Sequence, residues 1–151
     1  MQKLLILFVL ICSGTAFAQS SPLLEATDLN EMLSNQEVNL IDVRSEQDYI
    51  EGHIPGAINF PRSEYACSNC QTKGLMLQMD TLEAKFSAIG VRGELPTVIY
   101  DDRGAVNASR LWWILSNYGI DNAFILNGGV RSWDSIPASR TTEITDLPPS
   151  E

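Results

Sequence analysis

The stretch that most constrains this chain runs from Thr97 to Trp113, TVIYDDRGAVNASRLWW. Val98, Ile99 and Tyr100 are β-branched or aromatic and follow Pro96, which marks a short strand. Asp101-Asp102-Arg103-Gly104 is a polar turn with one glycine. Beyond it, Ala108, Leu111, Trp112 and Leu115 recur at i, i+3, i+4 and i+7, one apolar face of a helix. Strand, tight loop and helix form the unit of open α/β sheets. Their loops present backbone N–H groups to an anion at the helix N-terminus. The residues in this loop therefore decide what the chain can do.

The rest of the chain repeats the alternation. Residues from Asp28 to Ser34 read as a short helix, with Leu29, Met32 and Leu33 on one face and Asp28 and Glu31 spaced as a capping pair. Val38 to Val43 reads as a strand. Ser45 opens a helix that Gly52 ends, His53 to Gly56 is a turn, and Ala57 to Phe60 is a strand closed by Pro61. Arg62 to Met79 shows no clear period. Asp80 to Ile89 reads as a helix, with Leu82, Phe86 and Ile89 inward, Asp80 and Glu83 as a cap pair, and Gly90 as its stop. The central helix runs to about Tyr118. Ala123 to Leu126 is a buried-type strand, and Gly128-Gly129 leads into a last helical turn with Trp133. Short apolar strands between amphipathic helices place the chain in the α/β class with a mostly parallel sheet.

The first 18 residues read as a secretory signal peptide. Met1 to Lys3 is a short basic start, Leu4 to Ile11 is unbroken and apolar, and Ala16-Phe17-Ala18 is a small-x-small cleavage site. Lipid attachment at Cys12 is the weaker rival, because Ile11 is bulky where such signals carry a small residue. The expected organisation is a signal peptide at 1–18, a linker at 19–25, one domain at 26–136 and a flexible tail at 137–151, in a periplasmic or secreted protein. No other apolar run is long enough to span a membrane. With 10 Lys and Arg against 19 Asp and Glu, the formal charge is −9. That balance repels phosphate and excludes a nucleic-acid binder.

Two stretches carry a family likeness. Leu40-Ile41-Asp42-Val43-Arg44, with Tyr49 and Glu51-Gly52-His53-Ile54-Pro55-Gly56-Ala57-Ile58-Asn59, resembles the entry signature of rhodanese-like domains. The central stretch, continued through Tyr118-Gly119 and Leu126-Asn127-Gly128-Gly129 to Trp133, resembles the rhodanese active-site loop, its helix and the closing Gly-Gly…Trp. The likeness runs from about Ala26 to Trp133. It implies a small central parallel sheet flanked by helices and membership of the sulfurtransferase family. It also implies that Asp42, Arg44 and the lone His53 are structural, tying the first strand to the turn.

The same resemblance exposes a departure. An active rhodanese opens this loop with a cysteine that carries sulfane sulfur as a persulfide, cradled by loop N–H groups. Here that position is Asp101, and the loop looks most like the silent N-terminal half of tandem-domain sulfurtransferases. A carboxylate is a far poorer nucleophile toward sulfur than a thiolate. Asp101 reads first as a built-in anion that satisfies the loop. Acid/base work, or metal binding together with Asp102, are its alternatives. The ligand-binding candidates are Asp102, Arg103, Gly104, Ala105, Val106 and Asn107. Phosphatase-like chemistry on the same fold would also need the missing cysteine, and an arginine near Val106 or Asn107.

Cys67 and Cys70 form a CxxC and are the only cysteines outside the leader. Three readings stand open: a structural or regulatory disulfide, a redox-active or sulfur-carrying thiol pair, and metal binding. Closed zinc sites need four ligands, and two cysteines with one histidine fall short. In a parallel sheet the loop after Ala57–Phe60 leaves from the same edge as the Asp101 loop, so the pair is expected to hang over the pocket mouth. No cofactor is expected. The expected function is a degenerate rhodanese-like domain that binds a sulfur-oxyanion, a thiol or another exported protein. The alternative is an enzyme run from Cys67 and Cys70.

Overall fold

A computed structural model describes residues 21–145 apart from 37, 68, 69 and 73. The segment read as a signal peptide, with Cys12, and the end of the expected tail lie outside the described residues. The elements, in chain order, are β1 (Leu23–Leu24), α1 (Ala26–Ser34), β2 (Asn39–Asp42), α2 (Glu46–Glu51), β3 (Ala57–Asn59), a 3-10 turn (Arg62–Glu64), α3 (Met79–Ala88), β4 (Thr97–Tyr100), α4 (Val106–Asn117), β5 (Ala123–Leu126) and α5 (Val130–Trp133). The strands form one five-stranded sheet in the order β1-β5-β4-β2-β3. Every pairing is parallel.

Side chains alternate across the pleat, and each face takes its own helices. Ile41, Ile99 and Ile125 face a core built with Leu82 and Phe86 of α3 and Leu111, Ile114 and Leu115 of α4. Leu40, Val98, Tyr100 and Leu126 face a second core with Leu29 of α1, Tyr49 of α2 and Trp133 of α5. All four residues of β4 are buried, as the central strand of a sheet covered on both sides requires. No helix among the described residues is long and apolar enough to cross a membrane.

The structure departs from the sequence reading in three places. Within the stretch read as a linker, Leu23 and Leu24 form an edge strand: Leu23 pairs with Ile125 and Leu24 with Leu126. The cap pairs at Asp28 and Asp80 are not formed. The N-caps are Glu25 and Gln78, without side-chain cap bonds, so each helix begins earlier than expected. The early part of the segment expected as a loose tail is held. Thr141 and His53 exchange both backbone bonds, at 2.8 and 2.9 Å, and Arg140 pairs with Asp134. Elsewhere local chemistry explains the boundaries. Ser45 caps α2 by accepting from the Asp48 N–H, and Gly52 ends that helix.

Candidate functional site

β4 ends at Tyr100, and the loop that follows curls around the side chain of its first residue, Asp101. Asp101 is buried, at 1% exposure. Its Oδ1 accepts hydrogen bonds from the backbone N–H groups of Arg103 (3.0 Å) and Ala105 (2.9 Å). Its Oδ2 accepts from Asn107 (2.9 Å) and Ala108 (3.2 Å). The last two are first-turn donors of α4, which have no partner within their own helix. The N-cap residue, Ala105, has no side chain able to serve them. Asp101 thus does the capping from four residues upstream, and its charge lies at the positive end of the helix dipole.

The loop reaches this geometry through two consecutive left-handed residues, Gly104 and Ala105, both at φ 68. The alanine carries a strain of about 1–2 kcal/mol, which the four bonds to the carboxylate offset. The Asp101 carbonyl is fixed as well, accepting from the Val130 N–H at 2.9 Å. A Cβ on Gly129 would sit 2.2 Å from that carbonyl oxygen, so the Gly128-Gly129 turn is needed for the backbone to approach β4.

Beside the loop lies an open cavity of about 750 Å³, lined by Arg44, Asn59, Arg62, Asp102, Arg103 and Asn107, among others. Arg44 donates to both oxygens of Asp42 (shortest distance 2.7 Å) and to the Gly52 carbonyl (2.9 Å). Burial works against the Arg44 charge, but its hydrogen bond and attraction to Asp42 outweigh this and hold its pKa above the ordinary value. Arg103 lies 3.7 Å from Asp102 at the surface. Glu46, Asp48 and Glu64 add negative charge to the same walls. The cavity is therefore of mixed sign, and four N–H groups of the adjoining loop and helix start are already committed to Asp101.

Of the other candidates, Gly104 faces open space, Val106 is exposed, and neither they nor Ala105 line the cavity. Asp42 and Arg44 form the buried tie the resemblance implied. His53 is fully buried: Nδ1 lies 2.8 Å from the Tyr49 carbonyl oxygen and Nε2 lies 3.0 Å from that of Glu143. With a carbonyl oxygen at each nitrogen, the ring is engaged on both sides and is not placed to act as a general base. Among the described residues no three His, Cys, Asp or Glu side chains converge as a metal would require.

Cys67 and Cys70 are joined as a disulfide with a Cα–Cα distance of 5.7 Å. Neither lines the cavity. Their segment nevertheless touches the first two turns of α4. The Tyr65 hydroxyl donates to the Asn107 carbonyl (3.3 Å), Arg62 donates to Asn107 Oδ1 (3.5 Å), and Arg110 donates to the Gly74 carbonyl. Tyr65 is pushed up to about 12, first by burial; Arg62 and Arg110 oppose this, and the nearby Asp101 adds to it. Arg62, Tyr65 and Arg110 did not stand out in the sequence. They belong to an aperiodic segment and to the polar side of a helix, where no spacing rule applies.

The rhodanese-like domain family model matches residues 25–136. The chain is 36% identical over 126 residues to a thiosulfate sulfurtransferase of Azotobacter vinelandii, covering 82% of this chain and 46% of that protein. It is 34% identical to a thiosulfate sulfurtransferase of Pseudomonas aeruginosa over 79% of this chain and 44% of that one. It therefore spans about half the length of these relatives. Among solved structures, SseA of Escherichia coli, a 3-mercaptopyruvate sulfotransferase, superposes with a TM-score of 0.78 at 25% identity, over 87% of this chain and 54% of that one. The parallel sheet and these matches agree: the chain belongs to the rhodanese-like domain family, with sulfurtransferases as its relatives.

Proposed function

We propose that this chain is an exported rhodanese-like domain whose loop site is degenerate and which acts in binding or regulation, not in persulfide formation. One observation carries the reading: both oxygens of Asp101 are saturated by four backbone N–H groups, two from the loop and two from the first turn of α4. In the family pattern that cradle holds the sulfur of a persulfide. A carboxylate fixed there has no lone-pair direction free for attack and places negative charge where an incoming thiosulfate would lie. The neighbouring mixed-sign cavity is the surface left for a partner, whether a thiol, a sulfur-oxyanion or another exported protein. Incubation with thiosulfate and then cyanide tests the reading. It expects no thiocyanate; steady thiocyanate production with the cysteines blocked would overturn it. Export is tested by N-terminal sequencing of protein recovered from the periplasm, with Gln19 expected as the first residue.

A second reading, sulfur transfer from Cys67 or Cys70, draws on the exposure of Cys70. Sulfane sulfur is taken up by a thiolate, so this reading requires prior reduction of the disulfide. A sulfur gained by the reduced protein and lost in C70S would favour it.

A further inference from the structure

The hairpin that carries the disulfide is held together without it. Cys67 donates its N–H to the Leu75 carbonyl at 2.7 Å and accepts from the Gly74 N–H at 2.9 Å. Ala66 and Met76 form an antiparallel bridge just outside. The Leu77 N–H bonds the Tyr65 carbonyl at 3.2 Å, and Arg110 anchors Gly74 to α4. The disulfide spans a sequence separation of three and joins two positions of the same hairpin. Closing so short a ring removes little chain entropy and ties no distant elements together. A bond that contributes little to the scaffold, in a hairpin fixed by other bonds, is free to open and close.

The two sulfurs are also unequal. Cys70 is exposed and Cys67 is half-buried. Two guanidiniums reach the neck of the hairpin: Arg110 at the Gly74 carbonyl, and Arg62 with Nη2 3.3 Å from where a Gly74 Cβ would stand. Both contacts tie the hairpin to its surroundings without the disulfide.

From this we infer that Cys67–Cys70 is a thiol–disulfide exchange site, with Cys70 the attacked sulfur, Cys67 the leaving one, and a dithiol, on a protein or a small molecule, as the substrate class. A substrate thiolate attacks Cys70 Sγ. The Cys67–Cys70 bond breaks with its electron pair passing to Cys67, which then takes up a proton. The second substrate thiolate attacks the substrate sulfur of the mixed disulfide and expels Cys70. The substrate leaves oxidised by two electrons, and the chain keeps two thiols. Exchange with a more oxidising protein disulfide closes the cycle. This chemistry is independent of Asp101 and stands or falls apart from the loop reading.

The test uses the purified oxidised protein in millimolar reduced glutathione, followed by intact mass and thermal unfolding. The disulfide is expected to open in the folded state with little change in the unfolding midpoint. With oxidised glutathione, C67S is expected to form its mixed disulfide on Cys70 about tenfold or more faster than C70S forms one on Cys67. A disulfide that resists glutathione until the protein is denatured, a fold that collapses on reduction, or equal capture rates in the two variants would each overturn the assignment.

Discussion

The substitution D101N preserves the shape of the side chain and removes its charge. The carboxylate accepts four N–H bonds at 2.9–3.2 Å, two on each oxygen. An asparagine offers one carbonyl oxygen, which can keep two of them. Its amide NH₂ must then point at the other two donors, which are left unpaired in a buried loop. Each stranded donor costs about 1–3 kcal/mol, and the retained bonds lose their charge assistance. The expected loss is about 3–4 kcal/mol, or about 15 °C in Tm for a domain of this size. Thermal and urea unfolding followed by circular dichroism measure it. D102N is the control: among the described residues Asp102 has a surface pairing with Arg103 at 3.7 Å, and its loss is expected to stay within about 0.5 kcal/mol. A D101N protein as stable as the wild type would refute the argument, because the four bonds could not then be holding the loop.

Three further substitutions probe the frame around the loop. G129A puts a methyl group 2.2 Å from the Asp101 carbonyl oxygen at φ +59 and is expected to cost more than about 4 kcal/mol or abolish folding. G104A, also left-handed but facing open space, is expected to cost about 1–2 kcal/mol, and comparable losses at the two positions would contradict the close approach. R44M leaves the fully buried Asp42 without its partner and is expected to cost about 3–5 kcal/mol, with the double variant D42N/R44M recovering part of it; strict additivity in unfolding experiments would argue against the tie. Tyr65 has its folded pKa raised to about 12 against 10.0 unfolded, so its contribution is complete below pH 10 and disappears as the pH rises through 12. That loss is up to about 3 kcal/mol, and Y65F is expected to lack it; parallel stability profiles for the two proteins would count against a buried, neutral Tyr65.

Much of the frame was legible because its signals are local. The β4 run of Val98, Ile99 and Tyr100, the helical spacing of Ala108, Leu111 and Leu115, and Ser45 ahead of α2 each carry their structure in adjacent residues. The two residues of β1 are too few for a pattern, and only their pairing with β5 makes them a strand. The segment from Arg62 to Leu77 is shaped by long-range bonds to α4, such as Tyr65 and Arg62 to Asn107, so no periodicity marks it. At the loop, the sequence showed an anion at a helix N-terminus. It did not show that Ala105 would turn left-handed, or that the four donors would come from residues two to seven places downstream. The reason for Gly129 is a contact with the Asp101 carbonyl across 28 residues, which no local rule contains.

The most direct test of the central claim, that the loop's anion site is filled by the chain's own Asp101, is sulfur uptake in a C67S/C70S background. The protein is incubated with thiosulfate and weighed intact, with Asp101 present and with D101C in its place. The account predicts no mass gain while Asp101 is present and a gain of one sulfur, mapped to position 101, in D101C. A folded D101C protein that gains no sulfur would contradict it, because the loop would then not be the site that Asp101 fills.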